Sequence, residues 1–213
     1  MSLGDFFGRI MVTLLNLLGV MEKIAERYNN LDDILFFMKK VVCLVGMPGS
    51  GKSSVAKIFE ENGYFIVRTG DITDDEVKKR GLEFTEENEK KIREELRVKY
   101  GKDFYAQMSV KKFQGDKIVI DGVYNKEEWE YWKREFNATL IEVRADAEIR
   151  YNRLESRKVR PLTVEEGRSR DKAHLENTGI GEAIEAADSV IENTGNIEKL
   201  KTIVEDLIKK QVF

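Results

Sequence analysis

The stretch "CLVGMPGSGKSS" (residues 43–54) decides how this chain is read. It sets a glycine-rich turn between an apolar, β-branched run, "KKVVCLV" (39–45), and an amphipathic one, "SSVAKIFEEN" (53–62). Written out, the turn is Gly46-Met47-Pro48-Gly49-Ser50-Gly51-Lys52-Ser53, a complete G-x-x-x-x-G-K-[ST] pattern. Glycines carry no Cβ, so consecutive backbone N–H groups can converge on an anion. A helix that starts there aims the positive end of its dipole at the same point. Lys52 is therefore expected to reach the β- and γ-phosphates of ATP and Ser53 to offer a hydroxyl to Mg²⁺, with Gly46 through Ser54 forming the cradle. An accidental turn needs no strand before it and no helix after it, and this one has both.

Working outward, Gly63 is placed to end the first helix, since glycine tolerates the left-handed conformation found there. Further apolar runs follow at "YFIVRTGD" (64–71), "DKIVIDG" (116–122), "ATLIEVRA" (138–145) and "DSVIENTG" (188–195). Between them lie helical patterns: a long charged stretch over 74–113, "KEEWEYWKREF", "AEIRYNRLESRK" with Asp146 placed to cap it, and "NIEKLKTIVEDLIKK". Strands alternating with helices predict an α/β fold, a parallel sheet covered on both faces. Such sheets bind ligands at the carboxyl ends of their strands. Asp121, which ends the third run, is thus a candidate to hold Mg²⁺ directly or through water, although Asp-Gly is also a common turn pair.

At 213 residues the chain is one domain of ordinary size with an appendage. Lys+Arg 36 against Asp+Glu 39 leaves a net charge of −3, so no overall basic field draws it to nucleic acid and any anion site is local. The one cysteine, Cys43, excludes an internal disulfide, reads as core, and fits a reducing cytoplasmic setting. No run reaches the ~18 apolar residues of a membrane span. The best candidate, "IMVTLLNLLGVM" (10–21), is interrupted by Thr13, Asn16 and Gly19 and lacks the flanks of a signal peptide. Residues 1–38 read as a helical extension to a domain spanning 39–213. Within it Leu3, Phe7, Ile10, Leu14, Leu17, Met21, Ile24 and Tyr28 alternate by four and three, a heptad seam. That seam suits a homodimer through the N-terminal helices or packing against the domain.

From about Lys39 to the C-terminus the chain resembles the nucleoside monophosphate kinase group of P-loop proteins. Within that group it is most similar to an archaeal family described as adenylate-kinase-related or dephospho-CoA-kinase-like. The resemblance rests on "VGMPGSGKS", "TGD" followed by "KKRGLEFTEEN", "IDG" after the third strand, "RLESR", "SRD" and "GIGEAIEAADSVIEN". It implies a P-loop three-layer fold with a five-stranded parallel sheet, a helical acceptor-binding insert at about 71–115 and a mobile lid at about 153–172. The lid segment carries basic residues at 153, 157, 158, 160, 168 and 170. Arg153 and Arg157 stand four apart on one helix face and match the R-x-x-x-R of the group, while Arg170 matches a later arginine. By that match Arg153 contacts the nucleotide, and Arg157 and Arg170 neutralise the migrating phosphoryl group. The other reading is a solvated basic face pairing with Glu155, Glu165 and Glu166.

Asp71 of "TGD" is expected to face the acceptor and to orient or deprotonate a hydroxyl. Asn193-Thr194-Gly195 falls where the group contacts adenine, and His174 reads as a surface residue of the lid helix. Two departures stand out. Asp74 occupies the position where adenylate kinases carry an arginine that grips the acceptor's phosphate, and Val123-Tyr124-Asn125 replaces a second one. Arg68 and Arg80 are the nearest alternatives. The implied activity is ATP- and Mg²⁺-dependent phosphoryl transfer to a small-molecule acceptor, a nucleotide or nucleotide-like metabolite that presents a hydroxyl. The alternative is a nucleotide-binding switch or slow NTPase acting through a partner.

Overall fold

The computed structural model describes residues 39–158 and 161–210. The N-terminal extension with its heptad seam, the dimer expected from it, and Arg160 lie outside the described residues. Five strands, β1 (Lys40–Val45), β2 (Phe65–Arg68), β3 (Lys117–Asp121), β4 (Thr139–Arg144) and β5 (Ser189–Glu192), form one sheet in the order β2-β3-β1-β4-β5. Every pairing is parallel. The expected α/β architecture is therefore the observed one. Val42, Cys43, Leu44 and Val45 of the central strand are fully buried. An uninterrupted apolar run is what a strand covered on both faces requires.

One face is covered by α1 (Lys52–Glu61) and α9 (Ile197–Lys209), whose Val55, Phe59, Leu200 and Val204 join Val42, Leu44, Ile141 and Ile191 in a single core. On the other face α5 (Lys126–Phe136) and α8 (Ile180–Glu185) pack against β1, with Trp132 and Ala183 fully buried. Between β2 and β3 lie α2 (Gly70–Lys79), α3 (Glu86–Tyr100) and α4 (Phe104–Val110). They build a smaller core of their own from Ile72, Val77, Ile92, Leu96 and Tyr105. After β4 come α6 (Ala147–Glu155) and α7 (Val164–Asn177).

Local chemistry sets several of these boundaries. Thr85, Asn125 and Thr163 each accept a hydrogen bond from an N–H of the first turn they precede, and Glu166 closes a capping box with Thr163. Asp146 stands at the N-cap of α6 as expected, but its side chain makes no capping hydrogen bond. β2 ends at Arg68, earlier than the apolar run suggests, because the Thr69 hydroxyl donates to the Gly122 carbonyl at 2.9 Å and the chain turns into α2. No helix among the described residues is long and apolar enough to cross a membrane.

Candidate active site

The glycine-rich loop leaves the carboxyl end of β1 and enters α1. None of its three glycines has room for a Cβ. Gly51 has φ +100°, and a Cβ there would collide with the Asn193 amide; Gly49 has φ +80°, and a Cβ would lie 2.5 Å from the Arg150 carbonyl. The first turn of α1 has no side-chain cap. Ser54 N–H donates to the Gly51 carbonyl at 3.0 Å, which leaves the N–H groups of Lys52 and Ser53 for an anion. Neighbouring elements pin the loop through its carbonyls. Asn193 Nδ2 donates to Ser50 O at 2.7 Å, Arg150 Nη1 to Pro48 O at 3.1 Å, and Arg153 Nη1 to Ser50 O at 3.4 Å.

Lys52 Nζ folds over the same loop and donates to Gly46 O at 2.6 Å. Burial lowers its pKa to about 8, with Asp121 opposing the shift and Arg170, Arg157 and Arg150 adding to it. It remains protonated at neutral pH. Ser53 Oγ donates to Asp121 Oδ2 at 2.8 Å, a contact made possible because β3 lies beside β1. A hydroxyl and a carboxylate side by side are the hard oxygen donors that suit Mg²⁺, which takes few protein ligands and completes its shell with phosphate and water. Among the described residues no cluster of three or more His, Cys, Asp or Glu side chains gathers as a separate metal cage.

The loop opens into a cavity of about 960 Å³ that runs on to α2, α3 and α4. Pro48, Gly49, Gly51, Lys52, Ser53 and Ser54 line it, whereas Gly46, Met47 and Ser50 do not. Of the other expected residues, Asp121, Arg153, Arg157 and Arg170 also reach the cavity. Arg153 Nη2 is held by the Asn193 carbonyl at 2.9 Å. Burial and the neighbouring Arg170 both lower the pKa of Arg157, and among the described residues no carboxylate pairs with it. Arg168 instead lies over the Tyr151 ring, 5.5 Å from its centroid.

Two expectations are corrected. Asp71 is not among the residues that line the cavity; it sits in the first turn of α2 and its carboxylate pairs with Arg68 at 3.2 Å. The reason is the early end of β2, which puts Asp71 on a helix and leaves Asp74, one turn on, facing inward. His174 is not a surface residue. It lines the cavity edge-on to Tyr124 at 6.1 Å, and burial, reinforced by Arg170, Lys52 and Arg93, pushes its pKa down to about 4. Arg80 is exposed and tied to Glu76 and Glu95, away from the cavity.

Sequence reasoning missed Arg93 and Arg97, which project from α3 into the cavity, and Tyr105 behind them. Their four-residue spacing was a signal, but it is embedded in "EENEKKIREELRVKY", which reads as a solvated face.

A parallel sheet in this strand order, with an anion loop after its central strand, is the framework of P-loop NTPases, and the chain has that fold. Residues 42–176 match the AAA domain family. The chain is 36% identical over 174 residues to a UPF0200 protein of Sulfurisphaera tokodaii, covering 80% of this chain and 97% of that one. It is 35% identical over 184 residues to a UPF0200 protein of Thermococcus kodakarensis, covering 80% and 99%. The chain belongs to the UPF0200 family. A longer relative, the UPF0200/UPF0201 protein of Archaeoglobus fulgidus, is 36% identical over 183 residues, and the match covers only 56% of its length.

Among solved structures it is similar to TT1252 from Thermus thermophilus, with TM-score 0.57 and 18% identity over 81% of this chain and 97% of that one. Shikimate kinase from Acinetobacter baumannii gives TM-score 0.55 and 19% identity over 84% and 98%. Identities this low speak for the fold alone, and at that level the resemblance to P-loop kinases holds.

Proposed function

We propose that the protein transfers the terminal phosphoryl group of ATP, in the presence of Mg²⁺, to a hydroxyl of a small-molecule acceptor. The observation that carries this reading is the continuity of the cavity: one space of about 960 Å³ joins the anion loop to the α2–α4 wall. That volume lies at the upper end of the ~300–1,000 Å³ usual for ligand pockets, room for a nucleotide's phosphates and a second molecule.

In this reading the loop and Lys52 hold the β- and γ-phosphates, and Arg153 steadies the nucleotide beside Asn193. Ser53 and Asp121 would hold Mg²⁺, which would supply positive charge against the phosphates. Arg157 and Arg170 neutralise the group in flight. The bond from the γ-phosphorus to the ADP oxygen breaks as the acceptor oxygen bonds to phosphorus, the ADP oxygen takes the electron pair, and the hydroxyl proton passes to solvent water. A loose transition state asks little of a base, so most of the rate comes from positioning and charge. Residues of about 71–115 act as the acceptor wall and those of about 153–172 as the lid.

The test is ADP formation by purified protein with and without an added metabolite pool. Turnover that requires the pool supports transfer. Equal turnover without it would favour the switch or slow-NTPase reading instead.

A further inference from the structure

The cavity has two electrostatic halves. At the loop end Lys52, Arg153, Arg157 and Arg170 outnumber the carboxylates near them, Asp121 and Glu86, which pairs with Arg170 at 3.6 Å. At the far end three arginines, Arg68, Arg93 and Arg97, share the wall with three carboxylates, Asp74, Glu86 and Glu89. Each of these arginines is already engaged. Arg68 pairs with Asp71 at 3.2 Å, Arg93 with Glu86 at 2.7 Å and Glu89 at 3.6 Å. Arg97 Nη2 donates to Glu128 Oε1 at 2.9 Å.

The Arg97–Glu128 pair is the most deeply held. Glu128 is 1% exposed, and it also accepts from the Tyr124 N–H at 2.9 Å and Asn125 Nδ2 at 3.2 Å. The Arg97 guanidinium lies over the Tyr105 ring at 4.8 Å, and the Tyr105 hydroxyl bonds to Thr73 Oγ1 at 2.8 Å. One of those two hydroxyls donates to the other, so one proton remains to offer. Nearby, His174 Nδ1 has no hydrogen-bond partner among the described residues. The far wall is thus rich in hydrogen-bonding groups, and its arginines carry no charge that carboxylates do not already match.

A dianionic phosphate needs donors that are not already committed. To seat against Arg97 or Arg93 it would have to part the arginine from Glu128 or Glu89 and leave that carboxylate buried without a counter-charge, which is strongly unfavourable. We infer that the acceptor is a neutral polyhydroxylated compound, held at the far wall by hydrogen bonds and carrying no phosphate of its own there. The inference rests on the phosphotransferase reading and narrows its substrate class.

The experiment uses full-length protein, Mg²⁺ and the non-hydrolysable donor AMP-PNP, with inorganic phosphate as the probe of the far wall. AMP-PNP is titrated calorimetrically first. Failure to bind it sinks the phosphotransferase reading itself and is seen before phosphate is added. Phosphate is then titrated into the AMP-PNP complex of the wild type and of Glu86→Gln/Glu89→Gln, which leaves Arg93 without its two carboxylates and parts Arg170 from Glu86. The wild type is expected to bind phosphate more weakly than about 10 mM, and the variant at least about tenfold more tightly. Wild-type binding tighter than about 1 mM would overturn the inference. So would a variant that gains nothing, because the carboxylates would then not be what excludes the anion.

Discussion

Replacing Asp171 with Asn removes one charge from the most connected ion pair in the described structure. Arg150 Nη1 and Nη2 donate to the two Asp171 oxygens at 3.0 and 2.6 Å, and Tyr151 adds its hydroxyl to Oδ2 at 2.9 Å. Arg150 also donates through Nε to Ala145 O at 3.2 Å and through Nη1 to Pro48 O at 3.1 Å. One guanidinium therefore ties the end of β4, the anion loop and α7 together. Both partners are buried, at 7% and 8% exposure. Removing one member of a buried pair leaves the other charged and uncompensated, at a cost of about 3 kcal/mol. In a chain of this length that is about 6–12 °C in Tm. Because Arg170 is the residue before Asp171, the catalytic rate should fall more than ATP affinity. Arg150→Met/Asp171→Leu separates the two effects: stability should return to near the wild-type value, while the loop stays untethered and turnover stays low. Thermal unfolding with parallel ADP-release kinetics reads both. An Asp171→Asn protein melting within about 2 °C of the wild type would refute the reasoning.

Three further outcomes follow from the site. Lys52 in the free protein titrates at about 8, and only its protonated form attracts phosphate. AMP-PNP affinity should therefore fall about tenfold between pH 7 and pH 9, and Lys52→Arg should flatten that profile; a flat wild-type profile would contradict it. His174 is neutral in the folded protein down to about 4, whereas the unfolded chain takes up that proton near the ordinary 6.5. Between those values the unfolded state binds more protons, so stability falls as pH falls, by up to about 3 kcal/mol, and His174→Gln should lose that part of the acid sensitivity in urea titrations. AMP should be a poor acceptor, because Asp74 and the paired arginines meet its phosphate; steady-state efficiency at or above about 10⁴ M⁻¹s⁻¹ would show otherwise.

The donor half of the site was legible because its signals are local. The β-branched run of β1, the glycines and Lys52-Ser53 lie within fifteen residues of one another, and the strand alternation fixes what surrounds them. Asp121 was legible one step further out, through the rule that ligands gather at strand ends. The far half was not. Arg97 finds its partner 31 residues away in Glu128, and nothing in the charged pattern of α3 marks which arginines turn inward. His174 was misplaced for a related reason. The face of α7 that turns inward is set by buried Asp171 and by Gly167, which approaches the Tyr151 ring too closely for a side chain. Polar residues thus mark the inner face, and a search for apolar periodicity looks past them. Asp71 was misjudged because the apolar run continues to the eye past Arg68, while the Thr69 hydroxyl bond ends the strand.

The central claim is that ATP bound through Lys52 gives up its γ-phosphoryl group to a second molecule. The most direct measurement follows label from γ-³²P-ATP into a small-molecule fraction in the presence of Mg²⁺ and a metabolite extract, for the wild type and for Lys52→Ala. The expected result is a labelled product distinct from inorganic phosphate in the wild type, and its loss in a Lys52→Ala protein whose Tm is unchanged within about 3 °C. Label recovered only as inorganic phosphate, or a labelled product formed equally by Lys52→Ala, would contradict the claim.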